Sequence, residues 1–225
     1  MLDLVYRGKT KDVYALPNGT YRLQFKDDVT GIDGVFDPGA NQVGLSIEGS
    51  GHSNVVMSRY YFEMFEEQGI PTHYLSADVE QQTMDVKPAE FFGKGIEVIC
   101  RYRAVGSFMR RYGLYANDGD KLDGYVEITL KDDERQDPLI NEDALLALNI
   151  LRPGEYEEIK QATQRISQLI KDDLSQKGLE LYDLKLEFGR DKDGKLMLID
   201  EVSAGNMRVY QGDQSIGHLE LATFF

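Results

Sequence analysis

Residues 183–188, DLKLEF, alternate strictly between charged and apolar side chains, and this period of two constrains the fold more than any other feature of the chain. Because successive side chains of a strand point to opposite faces, the pattern predicts a β-strand with Asp183, Lys185 and Glu187 on one face. The turn sequence DKDG follows, and then the apolar run LMLI. The whole stretch therefore predicts a β-hairpin. Since the returning strand is apolar on both faces, the charged face is predicted to be covered.

Carboxylates gathered on a covered face need a positive charge beside them. The hairpin would bring Glu187 and Asp200 close to Lys185, and close carboxylates repel unless a cation or a lysine neutralises them. Mg²⁺ prefers oxygen ligands and is commonly held by one or two carboxylates together with substrate phosphates. We therefore predict a metal site at Glu187 and Asp200. The hairpin alone leaves a second interpretation open, a solvent-exposed face of salt bridges.

Composition argues against a nucleic-acid-binding, membrane-binding or transmembrane protein. The chain has 225 residues and a formal net charge of −14, so it repels nucleic acid and anionic membranes, and neither is an expected partner. No run of roughly 18 apolar residues predicts a transmembrane helix. The single cysteine, Cys100, lies in an apolar run and cannot form an internal disulfide, which favours a cytoplasmic location.

The remaining elements follow from turn and helix signals. Asn18-Gly19 predicts a hairpin within an N-terminal antiparallel sheet. The glycine-rich stretch 29–51 predicts a long functional loop. A helix is predicted to be capped by Ser53 and to end at Gly69, and an amphipathic helix is predicted within residues 153–178.

Two basic segments are candidate anion sites. In RGKTK, Lys9 and Lys11 and the backbone amides could cover phosphates, although the segment is not a Walker A loop. In RYRAVGS, Arg101 and Ser107 fall in a turn that opens a helix, where anions bind. Each segment taken alone is equally consistent with a basic surface turn.

Taken together, the motifs resemble one family. The segments YRGKTKDVY, FKDD, RYRAVGS, DDERQDP, DLKLEFG and DEVSAGNMR occur in the order and roughly the spacing seen in SAICAR synthetases, and the resemblance covers nearly the whole chain. It implies an α+β, two-lobed SAICAR synthetase-like fold with ATP in the cleft between a small antiparallel N-lobe and a larger α+β C-lobe. Residues 1–90 would cover the ATP phosphates, and residues 91–225 would carry the magnesium and substrate sites.

The activity implied by the resemblance is ATP-dependent amide formation in purine biosynthesis. The carboxylate of the ribonucleotide CAIR would be activated by ATP and joined to the amine of L-aspartate, giving SAICAR, ADP and phosphate. The expected cofactors are ATP and Mg²⁺, and the expected partners are these small molecules. A homo-oligomer is left open.

Residue roles carry over from the same resemblance. Catalytic roles fall on Lys185, Asp183 and Lys11. Nucleotide binding falls on Gly8, Lys9, Thr10, Lys11, Val13, Glu97 and Lys185. Substrate binding falls on Arg101, Ser107, Asp137 and Arg208. The metal carboxylates are Glu187 and Asp200, which agrees with the hairpin argument.

The chain also departs from the family pattern, and the departures keep two alternatives open. Ala204-Gly205 stands where the family usually has Pro-Asp, and IEGSGHSNVV replaces the usual GKGxxNN. One alternative is a ligase or kinase of the same fold that acts on a different carboxylate or amine. The other is a nucleotide-binding module without catalysis, against which the retained Lys11, Lys185, Glu187 and Asp200 argue.

Overall fold

The computed structural model describes residues 2–40 and 42–225, apart from the side chain of Ile32, and its antiparallel sheets and helices confirm the predicted α+β class. The chain forms two compact units. The first comprises Met1–Phe91, Gly189–Gly205 and Gly217–Phe225, and the second comprises Phe92–Phe188 and Asn206–Ile216. Late segments of the chain thus belong to the first unit. The functional division at residue 90 stays a prediction.

The helices and strands alternate along the chain. The strands are β1 (Asp3–Arg7), β2 (Lys11–Ala15), β3 (Tyr21–Phe25), β4 (Asp28–Ile32), β5 (Val35–Phe36), β6 (Val43–Ser46), β7 (Tyr74–Asp78), β8 (Thr83–Val86), β9 (Glu90–Phe91), β10 (Ile96–Arg103), β11 (Lys121–Leu130), β12 (Glu180–Arg190), β13 (Leu196–Ile199), β14 (Met207–Gln211) and β15 (Gln214–Ser215). The helices are α1 (Ser50–Glu67), α2 (Ser107–Tyr112), α3 (Glu142–Ala147), α4 (Glu155–Gln176) and α5 (His218–Ala222), with short 3₁₀ turns at Asp133–Arg135 and Ala204–Asn206. Every helix in the described part of the chain is too short or too polar to cross a membrane.

The main sheet of the first unit has the strand order β1-β2-β3-β8-β7. Strands β2 and β3 form the hairpin that Asn18-Gly19 predicts, with Lys11 opposite Phe25. Gly19 has a φ of 82°, which a glycine adopts without steric cost. The hairpin prediction is therefore confirmed.

The glycine-rich stretch 29–51 is not the long loop that its composition predicts. It contains three short strands that form a small sheet of order β5-β4-β6, and α1 begins at its end. The glycines permit a close backbone approach, because a Cβ added at Gly44 would lie 2.5 Å from the Cα of Gly31. The glycine content led to the prediction of a loop, whereas in the structure these two glycines allow neighbouring strands to approach closely.

Helix α1 begins at Ser50, four residues before the start that a cap at Ser53 predicts. Gly49 precedes it in a left-handed conformation and supplies no capping side chain. Instead, the Gly51 N–H donates to the Asp27 carboxylate over 2.9 Å. The predicted cap at Ser53 was wrong because the capping group comes from the bend between β3 and β4, which is distant in sequence. The helix ends as predicted before Gly69, where the Ile70 N–H donates to the Phe65 carbonyl.

The core of the first unit lies between α1 and the sheets. Helix α1 lies against β3, β4, β7 and α5, and its buried apolar side chains are Val55, Met57, Tyr61, Phe62 and Phe65. Phe62 stacks on Tyr74 with ring centroids 5.3 Å apart. On the other side, the Phe225 ring meets Tyr60 at 5.0 Å. Helix α1 is therefore the element that organises this unit.

The second unit is a sheet of order β11-β10-β12-β14-β15 covered by α4. Helix α4 confirms the predicted amphipathic helix, and its buried side chains include Ile159, Ile166 and Ile170. Leu184, Leu186 and Phe188 are buried on one face of β12, as the alternation predicts. The opposite face of β12 carries the charged residues.

We expect Asp27→Ala to lower the free energy of unfolding by about 1 kcal/mol, the usual cost of losing an N-terminal cap. The loss arises because the Gly51 N–H at the start of α1 would have no acceptor. Urea unfolding measures it. Asp27→Asn keeps an acceptor oxygen and should cost clearly less, and equal losses in the two variants would contradict a capping role.

His218 should make the stability of the protein depend on pH. Burial lowers the pKa of His218 from 6.5 to about 4, and its ring meets Phe36 edge-on at 4.9 Å. The unfolded chain therefore takes up a proton below pH 6.5 that the folded chain does not bind until about pH 4. Between pH 7 and pH 5 this costs about 2 kcal/mol of unfolding free energy.

Urea titrations of the wild type and of His218→Phe at pH 7 and pH 5 measure this contribution. The variant keeps an aromatic ring beside Phe36 but cannot be protonated, so it should lose less stability on acidification than the wild type. The same loss in both proteins would show that His218 is not the group responsible.

Candidate functional site

In the first unit, the basic turn RGKTK is held in a defined shape. The Gly8 N–H donates to the Lys11 carbonyl over 2.9 Å, and a Cβ at Gly8 would lie 2.5 Å from that oxygen. Lys26, from the FKDD motif, donates through Nζ to the Gly8 carbonyl at 2.6 Å and through its backbone N–H to the Thr10 carbonyl at 2.9 Å. The turn therefore joins β1 to β2, and Lys26 holds its backbone in place.

Lys11 and Asp200, two of the predicted site residues, are brought together in the first unit. Lys11 Nζ lies 2.8 Å from Asp200 Oδ1 and 3.3 Å from Glu201 Oε1. The same ammonium stands over the Phe25 ring, 5.6 Å from its centroid. Two adjacent carboxylates and one lysine thus share one polar site. Asp200 follows β13 in the left-handed conformation, with a φ of 68°.

In the second unit, the charged face of β12 meets charged side chains of β10 and β11. Lys185 Nζ lies 2.7 Å from Glu97 Oε1, and Glu97 Oε2 accepts from the Thr129 hydroxyl at 3.3 Å. Burial acts to lower the pKa of Lys185, but the charges of Glu97 and Glu187 outweigh it and raise the pKa above its ordinary value. Lys185 is therefore a cation at neutral pH, fixed between carboxylates.

Glu187 forms an ion pair with a different lysine, Lys131. Lys131 Nζ, at the end of β11, lies 2.7 Å from Glu187 Oε1. Nearby in sequence, Asp137 closes the acidic loop, since its carboxylate accepts from the Asp132 N–H at 2.8 Å. Burial, together with the charge of Glu97, raises the pKa of Asp137. Asp137 thus lies within the electrostatic reach of the β12 cluster.

Arg101 is buried, and every N–H of its side chain donates a hydrogen bond. Its Nε–H and one terminal nitrogen donate to Glu127 Oε1 at 2.9 and 2.7 Å, and the other terminal nitrogen donates to Asp183 Oδ2 at 2.6 Å. The remaining donors reach the Val105 carbonyl and the Ser107 hydroxyl. A guanidinium has five N–H donors, and all of them have an acceptor here. Arg101 therefore organises its neighbours.

Arg208 joins the same network from β14. Its guanidinium lies 2.7 Å from Asp183 Oδ2, and the residue is more exposed than Arg101. Gly106 makes room for it, because a Cβ at Gly106 would lie 2.7–2.9 Å from the guanidinium atoms. Gly106 has a φ of 57°. Arg111 reaches Glu127 from α2, which leaves this cluster with more arginines than carboxylates.

Comparisons with known proteins now decide the family. The family model described as SAICAR synthetase matches residues 4–220. A phosphoribosylaminoimidazole-succinocarboxamide synthase from Clostridium tetani (strain Massachusetts / E88) is 59% identical over 221 residues, which cover 98% of this chain and 97% of that protein. The chain belongs to the SAICAR synthetase family.

More distant members of the SAICAR synthetase family agree. The phosphoribosylaminoimidazole-succinocarboxamide synthase from Finegoldia magna (strain ATCC 29328 / DSM 20472 / WAL 2508) is 34% identical and covers 94% of this chain and 87% of its own length. A solved structure, SAICAR synthetase (Type-2) in complex with ADP, has a TM-score of 0.84 and 29% identity and covers 99% of this chain and 94% of that one. The predicted family and fold are therefore confirmed.

The donor chemistry at each of the predicted metal carboxylates suits Mg²⁺. In the described part of the sequence, no three histidine, cysteine or acidic side chains are grouped so as to hold a metal ion by themselves. Mg²⁺ is commonly held by one or two carboxylates with phosphate oxygens completing its shell. Glu187 in the second unit and Asp200 in the first already face a lysine ammonium each, so both carboxylates are oriented toward a positive charge.

Sequence reasoning missed several residues of this SAICAR synthetase family member. Glu127, Lys131, Lys26, Glu201 and His73 all contact predicted site residues. The alternation in YVEITL, residues 125–130, places Glu127 and Thr129 on one face of β11 and was a signal that could have found Glu127. Lys26 and Glu201 lie in the motifs FKDD and DEVSAGNMR, although neither was assigned a role. Lys131 and His73 depend on contacts between distant segments, for which a single sequence offers no signal.

Proposed function

We propose that this chain is an ATP-dependent ligase that joins the CAIR carboxylate to the amine of L-aspartate, giving SAICAR, ADP and phosphate in purine biosynthesis. The observation that carries the proposal is the 59% identity, over 98% of the chain, with a protein named for this reaction. The charged clusters of the two units support it, because they contain lysine and arginine donors suited to anionic substrates and carboxylates suited to Mg²⁺.

The nucleotide end of the reaction would use the turn at residues 8–11. Lys26 anchors the backbone of this turn, and the Lys11 ammonium would donate to phosphate oxygens. In the free protein, Lys11 neutralises Asp200. In the nucleotide-bound enzyme, Lys11 would donate to a phosphate oxygen, and the Asp200 carboxylate would be available as a metal ligand. Asp200 and Glu187 would hold Mg²⁺, which supplies charge neutralisation on the phosphate oxygens.

The ribonucleotide end would use the arginine cluster of the second unit. Arg208 can turn its accessible edge toward an anionic group while Asp183 holds it from behind. Arg101 would keep Asp183 and Ser107 in place through its five engaged donors. Arginine suits this role because its planar fork matches phosphate and carboxylate oxygens.

The chemistry needs two bond exchanges. A CAIR carboxylate oxygen attacks the γ-phosphorus of ATP, the bond to the β-phosphate oxygen breaks, and ADP leaves. The aspartate amine then attacks the acyl carbon, the C–N bond forms, the C–O bond to phosphate breaks, and the amine loses a proton. Lys185 would stabilise the negative charge that develops on the phosphoryl and carboxyl oxygens. The protein acts by positioning and charge neutralisation, and no protein nucleophile is required.

The direct test is ADP release by the purified protein with Mg²⁺, ATP and CAIR, with and without L-aspartate. We expect ADP and SAICAR to form in equal amounts only when both substrates are present. Glu187→Gln serves as the control for contaminating ATPase and should be inactive. ADP release that ignores CAIR would instead favour a ligase or kinase for a different acid or amine, and tight ATP binding without turnover would favour a non-catalytic module.

Gly106→Ala should raise the KM for CAIR roughly tenfold or more and leave the KM for ATP unchanged. The added methyl group would push the Arg208 guanidinium away, and a charge-assisted hydrogen bond contributes roughly 1.5–3 kcal/mol. Steady-state kinetics with each substrate varied in turn measure the two constants.

The matched control is Gly119→Ala. Gly119 also has a positive φ, 81°, but a Cβ there meets nothing within 4 Å. It therefore reports the cost of backbone strain alone. If Gly119→Ala raises the KM for CAIR as much as Gly106→Ala does, the steric argument about Arg208 is wrong.

A further inference from the structure

His73 is buried and contacts the backbone of a predicted metal carboxylate. Its side chain is only 5% exposed, and Nε2 lies 2.9 Å from the carbonyl oxygen of Asp200. The ring also lies against Phe62 of α1, with centroids 5.6 Å apart. A histidine in this position was not assigned any role by the sequence patterns. The contact between the His73 ring and the Asp200 carbonyl suggests that His73 fixes the position of the Asp200 backbone.

The chemistry of the contact defines the tautomer. A carbonyl oxygen can only accept a hydrogen bond, so Nε2 must carry the proton and donate it. The neutral imidazole ring satisfies this hydrogen bond with its single N–H. A neutral donor adds no charge beside Lys11 and the carboxylates. The interaction is therefore directional and leaves the local charge balance as it is.

The backbone of His73 is itself clamped to the strand that precedes Asp200. The Leu198 N–H donates to the Pro71 carbonyl at 3.0 Å, and the His73 N–H donates to the Leu198 carbonyl at 2.9 Å. The Lys87 N–H donates to the His73 carbonyl at 2.7 Å. The ring thus extends from an anchored segment to the residue just beyond the end of β13. This arrangement leaves Nε2 little freedom to move.

Asp200 needs such support. Its φ of 68° lies in the left-handed region, which costs a residue with a Cβ on the order of 1 kcal/mol or more unless the surroundings hold it. The held conformation directs the carboxylate to Lys11, with Oδ1 2.8 Å from Nζ. If the peptide rotated to an ordinary conformation, the carboxylate would point elsewhere.

We propose that His73 is a positioning residue that holds the Asp200 peptide in its left-handed conformation and so aims the Asp200 carboxylate at the magnesium-binding position. The proposal rests on the proposed function, since that function assigns Asp200 to Mg²⁺. His73 itself contacts neither nucleotide nor metal. Residues that orient a metal ligand in this way typically change metal affinity roughly 10–100-fold when they are replaced.

Two substitutions separate the hydrogen bond from the packing. His73→Gln places an amide nitrogen near the position of Nε2 and can still donate to the Asp200 carbonyl. His73→Leu fills the pocket beside Phe62 but has no donor. A role in packing alone predicts that the two variants behave alike, whereas positioning predicts that only His73→Leu is impaired.

The readout is ADP binding by isothermal titration calorimetry, in Mg²⁺ and in EDTA, so it does not depend on turnover. We expect Mg²⁺ to tighten ADP binding in the wild type and in His73→Gln. In His73→Leu the Mg²⁺-dependent gain should fall roughly tenfold, while the affinity in EDTA stays as in the wild type. That unchanged affinity also shows that the variant is folded. An equal gain in His73→Leu and the wild type would overturn the proposal.

Asp200→Asn distinguishes this proposal from the one on which it rests. Loss of the Mg²⁺-dependent gain in Asp200→Asn but not in His73→Leu refutes the role of His73 and leaves the metal assignment intact. If Asp200→Asn keeps the full gain, the assignment of Asp200 to Mg²⁺ is wrong, and the failure belongs to the proposed function. Impairment of both leucine and glutamine variants would identify a packing effect and likewise refute positioning by the hydrogen bond.

Discussion

Ion pairing on the covered face of β12 is the constraint on which the second unit depends. Isolated charges are costly to bury, so each charge on this strand needs an opposite charge within contact distance. Asp183 meets Arg101 and Arg208, Lys185 meets Glu97, and Glu187 meets Lys131. Such pairs contribute little net stability, but removing one partner is strongly destabilising. A charged sheet face of this kind is therefore a candidate binding surface.

The sequence correctly predicted those helices, strands and turns whose formation depends mainly on residues close in the chain. The alternation in β12, the amphipathic period of α4 and the turn at Asn18-Gly19 each depend on neighbours within a few residues, and each prediction is confirmed. The start of α1 and the fold of residues 29–51 were predicted wrongly. In the first case the cap is the Asp27 carboxylate, and in the second the glycines serve strand contact.

The same distinction applies to the site. The alternation along one strand identified Lys185 and Glu187, and the family resemblance added Glu97; the structure places the three side by side on β10 and β12. It could not identify the partners, because Lys131 and Glu127 reach β12 and β10 from a separate strand. Nor could it show that every donor of Arg101 is engaged. The number of donors is a property of the residue, whereas their use depends on the fold.

The interleaving of the two units has a consequence for synthesis on the ribosome. Residues 71–73 pair with Leu198, and α1 packs against α5, so the first unit cannot complete its core while only its N-terminal segment has emerged. In sequence, most of the second unit comes before residue 189, so it can form most of its sheet before the C-terminal segments of the first unit are synthesised. Such long-range closure slows folding and leaves apolar surface of α1 waiting for its partners. During translation, the apolar face of α1 therefore stays uncovered until residues 189–225 have left the ribosome.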